Sequence, residues 1–145
     1  MTPQERALRS AEMLIAGDRA SEWFGLERIE VDEGRARFRM TVEPHHANGH
    51  GICHGGVIFG LADTAFAFAC NSRNQSTVAQ HNAITYLAPG RIGDVLEADA
   101  REISLTGRTG VTDVTVTNQD GVVIAEFRGV SRAIRGQLFT EEDEK

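Results

Sequence analysis

A chain of 145 residues, 41% hydrophobic and 25% charged, is long enough to bury a core of its own, so a single domain over 1–145 is expected. The net charge of -6 is modest, and residues 141–145 carry -3 of it, which argues against bulk nucleic-acid binding. All the basic residues except Lys145 are arginine, so any phosphate contact falls to arginine.

Residues 1–20 are read as an N-terminal helical segment. Within it, 3–17 form a short amphipathic helix with Ala7, Leu8, Ala11, Leu14 and Ile15 on one stripe and Gly17 as a stop. Residues 23–32 and 35–42 are strand-like, joined by a turn at Glu33-Gly34. The second run alternates, with Ala36, Phe38 and Met40 on one face and Arg35, Arg37 and Arg39 on the other, as a half-exposed strand does. Pro44, Asn48, Gly49 and Gly51 make 44–53 a loop, and a long apolar helix follows over 55–71. Four further strands are expected at 77–87, 95–105, 109–116 and 122–134. Their breaks are Pro89-Gly90, Thr106-Gly107 and Gln119-Asp120-Gly121. Residues 137–145 read as a disordered acidic tail.

Consecutive strands on short turns favour an antiparallel sheet, and a helix apolar nearly all round demands burial on several sides. An α+β fold meets both demands, with a curved antiparallel sheet wrapped around the long central helix. The N-terminus lacks the basic-then-apolar order of a signal peptide. The apolar run is short for a membrane span and has an aspartate at its centre. Cys53 and Cys70 bracket the helix about 25 Å apart, beyond disulfide reach. A soluble, cytoplasmic protein without membrane partners is expected.

The chemical signal lies on the central helix. Asp63 is the one charge between Gly55 and Ser72, and His54-Gly55-Gly56 opens that run. A carboxylate on an apolar helix must be compensated by hydrogen bonds, a raised pKa or chemistry. The helix start offers backbone N–H groups with no intrahelical acceptor, a site for a developing negative oxygen. On a helical wheel Val57, Ile58, Leu61, Ala65 and Phe68 form the stripe facing the sheet. Asp63 instead lies among Gly56, Gly60, Ala67 and Cys70, bordered by Phe59 and Phe66, on a side expected to face a partner subunit or substrate. A buried acid that caps a turn or pairs with an arginine would satisfy the same pattern, as plain helix initiation would explain the glycines.

His46, His50 and His54 recur every four residues, but Pro44, Gly49 and Gly51 break any helix that would align them, and no carboxylate or cysteine pair completes a shell. No metal site is expected, and His45, His46 and His81 read as solvated. Serine-hydrolase, P-loop and dinucleotide-binding signatures have no match.

Taken together, Asn48-Gly49, Cys53-His54-Gly55-Gly56 and the run from Leu61 to Asn71 resemble the hotdog-fold acyl-CoA thioesterases of the phenylacetic acid degradation (PaaI) type. The asparagine six residues before the histidine and the aspartate nine after it carry the resemblance. It implies that Asp63 is the catalytic carboxylate, that the Gly55 N–H polarises the thioester carbonyl, and that His54 and Asn48 orient substrate or water. It further implies Gly56, Phe59, Thr64, Tyr86 and Arg91 as substrate-binding residues, with Arg108 and Arg132 as other candidates for the phosphates. The implied substrate is an aryl-acetyl-CoA, with coenzyme A as part of it and no separate cofactor. The implied assembly is a homodimer that builds the active site between subunits, paired through the strand at 77–87, and two dimers in a homotetramer. A non-catalytic acyl-CoA-binding protein is the alternative within this fold, and a hotdog dehydratase a more distant one.

Overall fold

The structure, a computed structural model, describes residues 1–142. Helix α1 spans Pro3–Gly17 and opens with a reciprocal cap: the Glu5 N–H donates to Thr2 Oγ1 at 3.1 Å and the Thr2 N–H to Glu5 Oε2 at 2.7 Å. A second, short helix follows, and its last two residues fall where the sequence pattern suggests a strand. Helix α2 covers Arg19–Phe24, started by Asp18 accepting from the Ser21 N–H and ended by Gly25 at φ 76°. Strand β1 therefore runs over Glu27–Asp32, and Trp23 belongs to the helix before it.

The remaining elements fall close to their expected bounds: β2 Arg35–Thr41, α3 Gly55–Cys70, β3 Thr77–Tyr86, β4 Val95–Thr106, β5 Thr109–Thr117 and β6 Val123–Ala133. All six strands join one antiparallel sheet in the order β1-β2-β4-β5-β6-β3. The run β4-β5-β6 follows from short turns. The placement of β3 beyond β6 does not, because that pairing is non-local.

Every strand touches α3, so the sheet curls around the helix as expected. Phe38, Met40, Leu96, Val114, Val116 and Ile124 from the strands close on Leu61, Ala65, Phe66 and Phe68 of the helix. Phe66 is 1% exposed and packs over Gly129, so it is core and no wall of an open pocket. The outer face carries the arginines of β2, which pair across strands: Arg37 with Glu30 at 2.9 Å and Glu97 at 3.1 Å, Arg35 with Asp99 at 3.3 Å.

The acidic end is held as far as it is described. Asn74 Oδ1 accepts from the Leu138 and Phe139 N–H groups, the Arg9 guanidinium lies 4.5 Å over the Phe139 ring, and Arg6 pairs with Glu141 at 2.6 Å. Of the 137–145 tail expected to be disordered, 143–145 lie outside the described residues. No described helix is long and apolar enough to cross a membrane.

Candidate active site

The start of α3 is shaped by its own cap. His54 precedes the helix in extended backbone, and its Nδ1 accepts the Gly56 N–H at 2.8 Å. A ring nitrogen that accepts is unprotonated, which leaves Nε2 to carry the proton. The Val57 and Ile58 N–H groups fold back onto the His54 carbonyl. The Gly55 N–H takes no acceptor among the described residues, so it is the donor left at the positive end of the helix.

Tyr86 of β3 donates its hydroxyl to the Gly55 carbonyl at 2.7 Å. A Cβ at residue 55 would stand 3.0 Å from the Tyr86 ring and hydroxyl, so glycine here makes room for that ring. Asn48 closes the loop before the helix. Its Oδ1 accepts from the His50 N–H at 2.9 Å and the Ile52 N–H at 3.4 Å, an Asx turn that leaves the amide nitrogen as the free donor among the described residues. Asn48, Gly55 and Tyr86 line one 550 Å³ cleft, together with Ile58, Leu87 and Pro89. Arg91 lies exposed nearby, its backbone bridged to Ile52 and its N–H donated to Asp94 at 2.9 Å.

Asp63 is outside that cleft. Eight residues along α3 separate it from Gly55, about 12 Å of helix. It is half-buried, and the Asn82 amide of β3 donates to its Oδ1 at 3.0 Å. Burial pushes its carboxyl above the usual 3.8, and the Asn82 bond pulls the other way by favouring the ionised form. Thr64 beside it bonds back to the Gly60 carbonyl at 2.7 Å. Phe59 is half-buried with its ring 5.4 Å from Phe127.

Asn82 is the residue the sequence pattern hides. A register shift between Ala79 and His81 marks a bulge at Gln80 that reverses the faces of β3, so Asn82, Ile84 and Tyr86 turn toward α3. Four strand residues cover about 13 Å and eight helical residues about 12 Å, which is why Asn82 meets Asp63 while Tyr86 meets Gly55. The signal available was an asparagine, a poor strand former, amid a β run.

The histidines divide. His46 is 1% exposed rather than solvated, and its Nδ1 accepts the Glu43 N–H at 3.0 Å. Burial first, then the neighbouring His45, lowers its pKa. Its carbonyl accepts the His54 N–H at 2.8 Å, which ties the buried ring to the helix cap. No group of three metal-binding side chains converges among the described residues. Gly60 also departs from expectation: the space above it is filled by Phe24 of α2, not left open to a partner.

The profile of the thioesterase superfamily matches residues 50–125, the span holding the α3 cap, Asp63 and Asn82. Acyl-coenzyme A thioesterase PaaI of Escherichia coli K12 is 41% identical over 136 residues, covering 94% of this chain and 97% of its own. The structure of the E. coli PaaI protein superposes with a TM-score of 0.92 at 40% identity, over 94% of this chain and 99% of that one. A Streptococcus mutans protein solved bound to acetyl CoA superposes with a TM-score of 0.75 at 28% identity, over 77% of this chain and 90% of that one. The chain belongs to the thioesterase superfamily, as a hotdog-fold acyl-CoA thioesterase of the PaaI type.

Proposed function

We propose that this thioesterase hydrolyses phenylacetyl-CoA and related ring-hydroxylated aryl-acetyl thioesters to the free acid and coenzyme A, with Asp63 as general base or nucleophile. The observation that carries the proposal is a half-buried carboxylate, held by one hydrogen bond from Asn82, on the helix whose first free N–H opens into a cleft. A thioester releases a thiolate whose conjugate acid has a pKa of about 8.5, so it leaves without a strong general acid. One carboxylate and one oxyanion donor are then sufficient machinery. The Gly55 N–H receives the developing oxyanion, Tyr86 pins Gly55 by its carbonyl, and the Asn48 amide and His54 orient substrate or water. Gly56, Phe59 and Thr64 border the acyl group, and Arg91 meets a phosphate of coenzyme A, which enters as substrate. The reaction so drawn uses no cofactor and no metal.

About 12 Å of helix between Gly55 and Asp63 is too far for one carbonyl to touch both in a single chain. Strand β3 pairs with β6 alone among the described residues and is exposed over most of its length, so its other edge can receive a second copy. Two copies joined there set the Asp63 of one beside the Gly55 of the other, and two such dimers form a tetramer.

Purified protein is expected to release free thiol from phenylacetyl-CoA, with Asp63→Asn abolishing the release. Full turnover in that variant would sink the mechanism, a fully active monomer would sink the split site, and intact thioester recovered from tight complexes would show a binding protein instead.

A further inference from the structure

Gly60 sits one turn before Asp63 and Thr64, and on the helical wheel it falls between them. Helical side chains lean toward the helix N-terminus, so both groups lean toward the turn that holds Gly60. The Thr64 hydroxyl bonds the Gly60 carbonyl. The place a side chain at 60 would take is occupied by Phe24: a Cβ there would be 2.8 Å from its Cζ and 2.9 Å from its Cε2. The ring therefore meets the helix backbone end-on.

Phe24 is held there from behind. It closes α2, between the Asp18 cap and Gly25, and the Trp23 ring stands edge-on to it with centroids 5.2 Å apart. Trp23 in turn contacts His45 at 5.8 Å and His46 at 6.3 Å, and the His46 carbonyl holds the His54 N–H. The ring that abuts the Asp63 face is thus braced against the loop that forms the oxyanion end.

We propose that Phe24 is an acyl-pocket residue whose ring, seated on Gly60, sets the depth available beside Asp63, so that the enzyme takes compact or aryl acyl groups and excludes long fatty chains. The inference rests on the reading of Asp63 as the reacting carboxylate. The acyl carbon must come within about 3.5 Å of that carboxylate or of the water it activates. A tail passing over the turn that Asp63 covers then meets Phe24 within about 5 Å, one helical pitch. Position 60 is glycine because the ring needs the helix backbone itself as its seat.

The test is kcat/KM for acetyl-CoA, phenylacetyl-CoA and decanoyl-CoA in the wild type, Phe24→Ala, Phe24→Leu and Gly60→Ala, with Asp63→Asn alongside. Phe24→Ala is expected to raise the decanoyl-to-phenylacetyl ratio about tenfold or more, and Phe24→Leu to raise it by a smaller factor with the packing largely kept. Gly60→Ala, which displaces the ring, is expected to change the phenylacetyl rate several-fold more than the acetyl rate. A uniform fall across the three thioesters in the Phe24 variants would overturn the proposal and leave the ring a packing role. If Asp63→Asn keeps its turnover, the reading of the site itself fails. If it is dead while the ranking of substrates stays fixed, only the assignment of Phe24 fails.

Discussion

The two ends of α3 use similar residues to opposite effect. At the C-terminal end the side-chain amides are matched: Asn71 Nδ2 donates to the Ala67 and Thr77 carbonyls and its Oδ1 accepts the Thr77 N–H. Asn74, in left-handed backbone at φ 57°, takes two N–H groups from Leu138 and Phe139 and returns its amide to the Phe139 carbonyl at 2.9 Å. Ser72 accepts from Gly34 and donates to Ala69. Toward the other end, the Gly55 N–H has no acceptor and Asn82 Oδ1 is buried with no partner among the described residues. Among the described residues Asp63 is held by a single amide. Complete hydrogen bonding marks the end that holds the fold together, and the incomplete end keeps donors and acceptors of the kind a ligand can take.

That contrast can be broken most severely at Asp63. Asp63→Asn is expected to cut turnover about a thousandfold, about 4 kcal/mol of transition-state stabilisation. The same change should stabilise the fold at neutral pH. The folded chain holds the Asp63 proton more tightly than the unfolded chain, so its contribution to stability is full below 3.8 and is lost as pH rises through the raised native value. A urea midpoint above that of the wild type at pH 7, converging with it in acid, would confirm the sign.

Next in size is the closed end. Asn74→Ala removes three hydrogen bonds, two of them buried, and is expected to lower stability by about 3 kcal/mol with kcat/KM unchanged, read by urea denaturation beside thiol release. A variant that loses activity at normal stability would erase the distinction between the two ends. Tyr86→Phe keeps the ring and removes the bond to Gly55. It is expected to lower kcat/KM by about 1 kcal/mol, roughly fivefold, with little movement of the midpoint. The smallest effect at neutral pH belongs to Asn82→Ala. Loss of a bond that favours the ionised carboxylate raises the Asp63 pKa further, so the acid limb of the rate profile should move to higher pH. A limb that stays in place would show that Asn82 does not reach the reacting form.

Periodicity made α3, the alternation of β2 and the β4-β5-β6 succession legible, because each is a local pattern with a strong burial demand. The short helix α2 was not legible, since its caps at Asp18 and Gly25 enclose too few residues to show a period. The Asp63 and His54-Gly55 positions stood out because a lone charge and a glycine pair are conspicuous in an apolar run. Asn82, His46 and Phe24 did not, since their roles depend on what lies opposite in space: a bulge decides which way Asn82 faces, the loop folds His46 inward, and Phe24 needs the absent side chain of Gly60.

The bulge at Gln80 also bears on how the gene can change. A loss of one codon there would leave strand, turn and composition almost intact, yet the two halves of β3 could no longer both keep their orientation. Either Thr77 would leave Asn71 at the helix end, or Asn82 and Tyr86 would swing to the outside together. One extra residue in a strand is thus a frame marker for the face that meets Asp63 and Gly55. A descendant without it has a short route to the same shape with Asn82 and Tyr86 turned away from α3.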